Sequence, residues 1–255
     1  VAGTVILLDT EHQNAITAAE MEIPMRLLEG MGARLEISSS HSPFSSTLKY
    51  ANAFVVLAPN EPFTPDEIQQ VQRFVERGGR LLVVSDPTRS YSGQDVLIAN
   101  SLLAPYDLSF SNDYIYNLIE NEGNYRNVIL RQFGTDALTK GLAAVTLYTA
   151  RAVHTLTGTP LLVGDSNVLS SLTDSGGKLA AAALSANRQV LALGDLSFFT
   201  PPYHQIMDNT LLLTHMGEFL VGGKQERVFA NLPYAFTQPV QVLATKNVSI
   251  TAEMM

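Results

Sequence analysis

Residues 54–86 read FVVLAPNEPFTPDEIQQVQRFVERGGRLLVVSD, and this stretch contains the signals of a strand, a helix and a second strand. The apolar runs Phe54–Leu57 and Leu81–Val84 have the length and composition of strands that are buried on both faces. Between them, Thr-Pro-Asp-Glu at residues 64–67 supplies a helix N-cap, a proline at the first helical position and a capping-box glutamate. Gly78-Gly79 ends the helix just before the second strand. Two buried strands joined by a helix predict a parallel pair in an α/β sheet.

The same alternation of short apolar runs and helical patterns continues on both sides of this unit. Further strands are predicted at 5–8, 35–37, 128–133, 145–148, 161–163, 178–184 and 190–193, with a loop at 38–46. Further helices are predicted at 16–31 and 94–104, and a last long helix is predicted to run through Leu212, Met216, Phe219 and Leu220 and to end at Gly222-Gly223. Ser185-Ala186-Asn187 predicts a hairpin on the sheet edge, and Asp208 or Asn209 is the predicted cap of the last helix. The pattern therefore favours an α/β fold, a flavodoxin-like three-layer sandwich with a mostly parallel central sheet.

A change of pattern after Gly223 divides the chain into a predicted α/β domain, residues 1–223, and a tail, residues 224–255. Strand-like pieces in the tail lie between 227 and 251 and are interrupted by two prolines. Because this β-rich tail has no helix of its own, we expect it to pair with the sheet edge or with another chain. The chain opens on Val1 without a signal region, which predicts either a removed leader or a fragment of a longer protein.

Composition excludes several classes of protein. The 255 residues carry a formal net charge of −8 and are 46% hydrophobic, which argues against both a nucleic-acid footprint and intrinsic disorder. The absence of cysteine excludes disulfides, thiolate metal sites and cysteine nucleophiles. No apolar run is long enough for a membrane-spanning helix, so the sequence predicts a soluble chain.

Polar residues follow several of the predicted strands, and the carboxyl ends of parallel strands are where ligands bind in open α/β sheets. We call this edge the strand-end crest. The candidate ligand-binding residues there are Asp9, Glu11, His12, Asn14, Asn60, Glu61, Asp86, Asp195, Ser197, His204 and Asn209.

Neither a catalytic residue nor a bound cofactor is predicted at the crest. Asp9, His12, Asp86, Asp195 and His204 are suitable metal ligands, but the spacings typical of zinc and calcium sites are absent, so no metal is predicted.

A serine nucleophile would stand at Ser85. A Ser/His/Asp catalytic set can be assembled from it with Asp195 and either His12 or His204. The turn lacks the small residues of a nucleophile elbow, however. Neither glycine-rich phosphate motif is present, which argues against nucleotides. Tyr114, Tyr116 and Tyr125 suggest either an aromatic recognition surface or simple packing at a sheet edge.

Three stretches resemble a bacterial and archaeal domain family of unknown function with a class I glutamine amidotransferase-like fold. They are Leu8–Asn14, Ala58–Thr64 with its capped helix and Gly78–Leu82, and Gly194–Phe199 followed by Asp208-Asn209. That family is akin to the auxiliary domain of gliding-motility-type ABC transporters and to intraflagellar-transport relatives. The resemblance covers residues 4 to about 221 and implies a flavodoxin-like domain, often near a membrane.

The resemblance also limits what can be expected of the site. Asp9, His12, Asn14, Asp195 and Asn209 match the recurring polar positions of the family, whose role is unknown there. The amidotransferase relatives use a cysteine at the nucleophile elbow, where this chain has Ser85-Asp86, so glutaminase activity is not carried over.

The sequence thus favours a non-catalytic interaction or ligand-binding module in a membrane-associated assembly. Its expected partners are proteins, bound in part through 224–255, and its expected location is the extracytoplasmic face of a bacterial membrane. The alternative is a hydrolase that acts on a carbohydrate or peptide at the crest with Asp9, His12, Asp86 and Asp195.

Overall fold

In the part of the chain that the structure describes, a ten-stranded mixed sheet has helices on both faces. The computed structural model describes residues 3–38, 44–89, 93–174 and 176–225, within one unit that ends at Gln225. Its strands are β1 Thr4–Leu8, β2 Ala33–Ile37, β3 Ala53–Leu57, β4 Arg80–Val84, β5 Ser109–Phe110, β6 Ile115–Asn117, β7 Asn127–Leu130, β8 Gln132–Phe133, β9 Val145–Tyr148, β10 Val153–His154, β11 Thr159–Val163, β12 Val168–Ser170, β13 Ala180–Leu184 and β14 Val190–Leu193. The helices are α1 Glu22–Gly30, α2 Phe44–Thr47, α3 Pro65–Glu76, α4 Gln94–Leu103 and α5 Asn209–Val221.

Five parallel strands make up one half of the sheet, in the order β2-β1-β3-β4-β14. The other half is antiparallel: β13 pairs with β14, β10 and β11, while β5 and β8 extend β10 and β11. Two short ladders, β6 with β12 and β7 with β9, lie outside this sheet. The mixed α/β architecture with parallel central strands is therefore as predicted.

Alternation along the parallel strands creates two cores. In β1, Ile6 and Leu8 belong to the core that α1 and α5 cover, whereas Val5 and Leu7 belong to the core that α3 and α4 cover. Successive side chains of a strand point to opposite faces, so strands that are apolar throughout are buried on both sides.

Helix α3 begins where its sequence predicts. The Thr64 side chain accepts a hydrogen bond from the Glu67 backbone, and the Glu67 carboxylate accepts one from the Thr64 backbone at 2.7 Å. Helix α1 is shorter than the predicted 16–31, because Thr17 and Glu20 form a separate turn and Pro24 lies in the first helical turn, where its missing N–H is tolerated.

Two other predictions need correction. The hairpin of β13 and β14 forms, but it lies inside the sheet and not at an edge, since β14 pairs with β4. Asp208 stands at the N-cap position of α5, yet its carboxylate accepts from the Ala143 and Ala144 backbones instead of capping the helix.

Parts of the predicted structure fall outside the described residues. The predicted tail strands between 227 and 251 do so entirely. The predicted 38–46 loop is described only at Ser38 and from Phe44, where α2 begins. Within the described ranges, no helix combines the length and the apolar character that crossing a membrane requires.

Candidate functional site

The first group of crest residues is assembled around Asp9, directly after β1. The Asp9 carboxylate is fully buried and lies 3.0 Å from His12 Nδ1, and it accepts from Asn14 Nδ2 at 2.6 Å. The Ser38 hydroxyl donates to the same carboxylate at 3.4 Å, and the Asn14 side chain also accepts from the Leu57 backbone. Asp9 therefore ties the ends of β1, β2 and β3 together.

His12 joins this group to the loop after β3 and to α3. Its ring stacks on Phe63 with a centroid separation of 3.6 Å, and its backbone carbonyl accepts from the backbones of Asn60 and Glu61. The other ring nitrogen, Nε2, lies 3.6 Å from the Glu67 carboxylate. The ring is therefore fixed between two carboxylates and an aromatic side chain.

These neighbours shift the pKa of His12. Burial acts to lower the pKa of His12, but the hydrogen bond and negative charge of Asp9, together with Glu67, outweigh it, so the pKa lies above the ordinary 6.5. A protonated imidazole has two N–H donors, one for each carboxylate. In that form the ring joins the loop after β1 to α3.

The remaining polar residues of this group lie closer to solvent. Glu11 accepts from the Phe44 backbone at 2.7 Å, at the start of α2. Asn60 donates to the carbonyls of Gln13 and Ala58, and exposed Glu61 accepts from the Gln13 side chain. These contacts again join loops to one another.

The second group lies at the ends of β4 and β14. Asp86 is fully buried and accepts from the Thr88 backbone at 2.7 Å, the Thr88 hydroxyl at 2.6 Å and the Leu196 backbone at 3.0 Å. Asp195 is also fully buried and accepts from the backbones of Tyr148 at 2.7 Å and Ser197 at 2.8 Å. The Ser197 hydroxyl reaches Asp86 at 3.5 Å.

The two carboxylates of this group influence one another. Burial raises the pKa of Asp195 well above its ordinary value, and the nearby charge of Asp86 raises it further, against the backbone N–H groups that lower it. A raised carboxyl pKa is a property that acid–base sites share with structural clusters. Here each carboxylate oxygen of Asp86 and of Asp195 accepts a hydrogen bond from another group of the chain.

His204 and Asn209 lie near the second group but have different surroundings. Asn209 is fully buried and pairs with both backbone groups of Thr146 at 3.0 and 2.9 Å, and it also donates to the Tyr203 carbonyl. His204 is buried, and its Nδ1 has no hydrogen-bond partner among the described residues. Asn209 thus joins α5 to β9.

The structure brings the candidates together as two separate groups rather than one pocket. Within the described part of the chain, no hydrogen bond joins the Asp9 group to the Asp86 group, and no three His, Asp or Glu side chains are placed to share a metal ion. Ser85 is fully buried and donates to Asp95 at 2.7 Å, not to His12 or His204. The nucleophile set considered from the sequence is therefore not assembled.

A buried charged network beside β4 was missed by the sequence analysis. Arg151 is 3% exposed and lies 3.2 Å from the fully buried Asp95 carboxylate. The same guanidinium donates to Asn112 Oδ1 and to the Asp113 carbonyl, at 3.2 and 3.3 Å. Asp95 lies in the first turn of α4 and Arg151 just before β10, so no local pattern in the sequence connects them.

Tyr114, Tyr116 and Tyr125 do come together. Their rings lie 6.2 and 6.0 Å apart in succession, and the Arg126 guanidinium stands 4.4 Å from the Tyr114 centroid and 5.5 Å from that of Tyr125. Tyr125 is 40% exposed. The three rings thus form an aromatic surface on and beside the β6–β12 ladder, stiffened by an arginine.

Comparison with known proteins supports the fold but not an activity. Residues 25–201 match the family described as Domain of unknown function (DUF4350). Among curated proteins, none matches this sequence.

Solved structures are similar to the chain at low sequence identity. The mmIFT52 N-terminal domain has a TM-score of 0.69 at 14% identity, covering 87% of this chain and 99% of that one. A putative ThuA-like protein from Bacteroides uniformis has a TM-score of 0.51 at 14% identity, covering 88% and 92%. PurLQS from Thermotoga maritima has a TM-score of 0.39 at 8% identity, with 86% of this chain and 98% of that one covered.

The match to the mmIFT52 N-terminal domain confirms the predicted likeness to intraflagellar-transport proteins at the level of the fold alone. The kinship with the auxiliary domain of gliding-motility-type ABC transporters stays a prediction.

Proposed function

The chain belongs to DUF4350, a domain family of unknown function, and we propose that it is a non-catalytic interaction or ligand-binding module in a larger assembly. The observation that carries this proposal is the burial of the carboxylates at the crest. Asp9, Asp86 and Asp195 are each 0% exposed, and their oxygens accept hydrogen bonds from the chain itself. Carboxylates that are buried and hydrogen-bonded in this way hold loops in place, a use that requires neither a substrate nor a metal.

The ancestry that we propose is flavodoxin-like and amidotransferase-like. The strand order β2-β1-β3-β4-β14 supports the flavodoxin-like part of this proposal, because it corresponds to the 2-1-3-4-5 order of flavodoxin-like sheets. In this ancestry the nucleophile elbow follows the strand that β4 represents, and there the chain has a buried Ser85 bonded to Asp95. The membrane-associated setting rests on the sequence resemblance alone.

Replacing Asp86 separates a structural crest from a catalytic one. Asp86→Asn replaces one carboxylate oxygen, which accepts hydrogen bonds from N–H or O–H groups, with an amide NH₂ that cannot accept them. This loss should lower the free energy of unfolding by about 1–3 kcal/mol. The matched control is Glu61→Gln at an exposed position of the crest, with an expected change within about 0.5 kcal/mol. Urea unfolding followed by circular dichroism measures both.

The wild type, Asp86→Asn and a further variant, His12→Gln, are then tested for turnover. Wild-type protein is incubated with chromogenic glycosides and peptides, with and without Mg²⁺, Mn²⁺ or Zn²⁺, and we expect no hydrolysis. Turnover by the wild type that disappears in Asp86→Asn or His12→Gln, while the midpoint of unfolding is retained, would establish the hydrolase alternative and end this proposal.

We propose that the tail, residues 224–255, contributes to partner binding. Lys224 donates a hydrogen bond to Gly78, and Gln225 donates one to Leu48. A truncated chain that tests the role of the tail should therefore retain these two residues and end at Gln225. The shortened chain should unfold at the same midpoint as the full chain and lose a partner that the full chain retains in a pull-down. If it retains every partner, the tail has no part in binding.

A further inference from the structure

A rigid loop projects two large apolar side chains from the β6 end of the aromatic surface. Leu118 is 68% exposed and Ile119 is 76% exposed, and they are adjacent in sequence. The Asn117 side chain accepts from the backbones of Ile119 and Glu120 at 2.9 and 3.0 Å, and the Asn117 backbone donates to the Tyr125 carbonyl at 2.8 Å. The loop 118–126 is therefore held in one shape before anything binds to it.

The far end of this loop is braced in the same manner. The Glu122 backbone donates to the Asn127 carbonyl at 3.0 Å, and the Asn127 side chain donates to the Glu122 carbonyl at 2.9 Å. A loop that is already ordered loses little conformational entropy when it is covered, and this favours association. The loop 118–126 contains a tyrosine, an arginine and two asparagines, residue types that recognition surfaces use often.

Two opposite charges on the loop have no ionic partner among the described residues. Arg126 donates from Nε to the Tyr125 hydroxyl at 3.2 Å and forms no ion pair there, and the exposed Glu122 forms none either. By contrast, Glu120 in the same loop pairs with Arg131 at 2.9 Å. Glu122 and Arg126 do not pair with one another.

A surface that carries both an unpaired anion and an unpaired cation is complementary to itself. In a two-fold dimer, residue i of one copy meets residue j of the other, and j meets i. We propose that the loop 118–126 is a self-association surface, in which Glu122 and Arg126 of one copy pair with Arg126 and Glu122 of the second. Leu118 and Ile119 of the two copies pack together beside these ion pairs.

This proposal does not depend on the absence of catalysis at the crest. An enzyme could associate through the same loop, and a non-catalytic module could be monomeric. The oligomeric state therefore tests the surface without testing the proposed function.

The apolar part is tested by sedimentation equilibrium of the full chain over a range from about 1 to 100 μM. Leu118→Asp should weaken self-association at least tenfold, because it places a charge in the covered patch. The matched control is Leu97→Asp, at an equally exposed leucine on α4, which should leave self-association unchanged. A wild-type chain that is monomeric throughout this range, or a Leu97→Asp variant that is weakened as much, overturns the proposal.

The charged part has a sharper test. Glu122→Arg leaves two cations facing each other across the two-fold axis and Arg126→Glu leaves two anions, so each variant alone should be monomeric. An equimolar mixture of the two variants restores both ion pairs and should form heterodimers, seen by native mass spectrometry. A mixture that stays monomeric while the wild type dimerises overturns the pairing, and recovery in the mixture also shows that both variants fold.

Discussion

Replacement of Arg151 by methionine tests whether the buried network beside β4 stabilises this domain. Methionine retains much of the apolar stem but removes the guanidinium that lies 3.2 Å from Asp95. The Asp95 carboxylate, which is 0% exposed, is then left without a countercharge. Removing one partner of a buried ion pair costs about 3–5 kcal/mol of the free energy of unfolding.

Two features of the structure place the cost at the lower end of that range. Asp95 keeps the hydrogen bond from the Ser85 hydroxyl at 2.7 Å. It also stands in the first turn of α4, where the helix dipole stabilises a negative charge by about 0.3–1 kcal/mol. We therefore expect a loss of about 3 kcal/mol, or a midpoint of thermal unfolding lower by about 6–12 °C for a domain of this size.

Urea unfolding monitored by far-ultraviolet circular dichroism measures the loss, since the chain has no tryptophan to follow by fluorescence. Asp95→Asn supplies the second corner of a double-mutant cycle, and the two changes together should cost at least about 2 kcal/mol less than their sum. The control is Arg131→Met in the exposed pair with Glu120, expected to change stability by less than about 1 kcal/mol. Additive losses at Arg151 and Asp95 would refute the reasoning.

Three further predictions concern His12, the cap of α3 and the backbone after β14. Because the pKa of His12 is raised on folding, its stabilising effect is complete below about pH 6.5 and is lost as the pH rises through the folded-state value. The difference in unfolding midpoint between wild type and His12→Gln should accordingly shrink from pH 6 to pH 9, and a constant difference contradicts this. Thr64→Ala removes half of the α3 capping box and should cost about 1 kcal/mol in urea unfolding, whereas Thr64→Ser should cost far less. Gly194→Ala places a methyl group 2.2 Å from a backbone carbonyl oxygen, so soluble expression should fall sharply; a normal yield and midpoint would show that the backbone moves away freely.

Local patterns in the sequence predicted local structure well. The cap at Thr64, the buried runs of β3 and β4 and the glycines after α3 each depend on residues within a few positions of one another. The same holds for the polar residues after β1, since Asp9, His12 and Asn14 meet within one loop.

Structure that depends on distant residues was not predictable in this way. Asp95 and Arg151 meet only because the sheet brings β10 near α4, and each alone has the pattern of an ordinary surface charge. Asp208 satisfied the rules of a helix cap, but two backbone N–H groups before β9 compete for its carboxylate. The burial of Asp86 and Asp195 likewise depends on loops that no spacing reveals.

The pairing of β14 with β4 has a consequence for the synthesis of this protein on the ribosome. Val190–Leu193 arrive long after Arg80–Val84 have been translated, and the intervening chain contributes mostly to the antiparallel half. Until β14 is made, the backbone edge of β4 has no neighbour on that side, and an unpaired apolar edge is a template for aggregation. We therefore expect nascent chains that stop short of residue 193 to need chaperones.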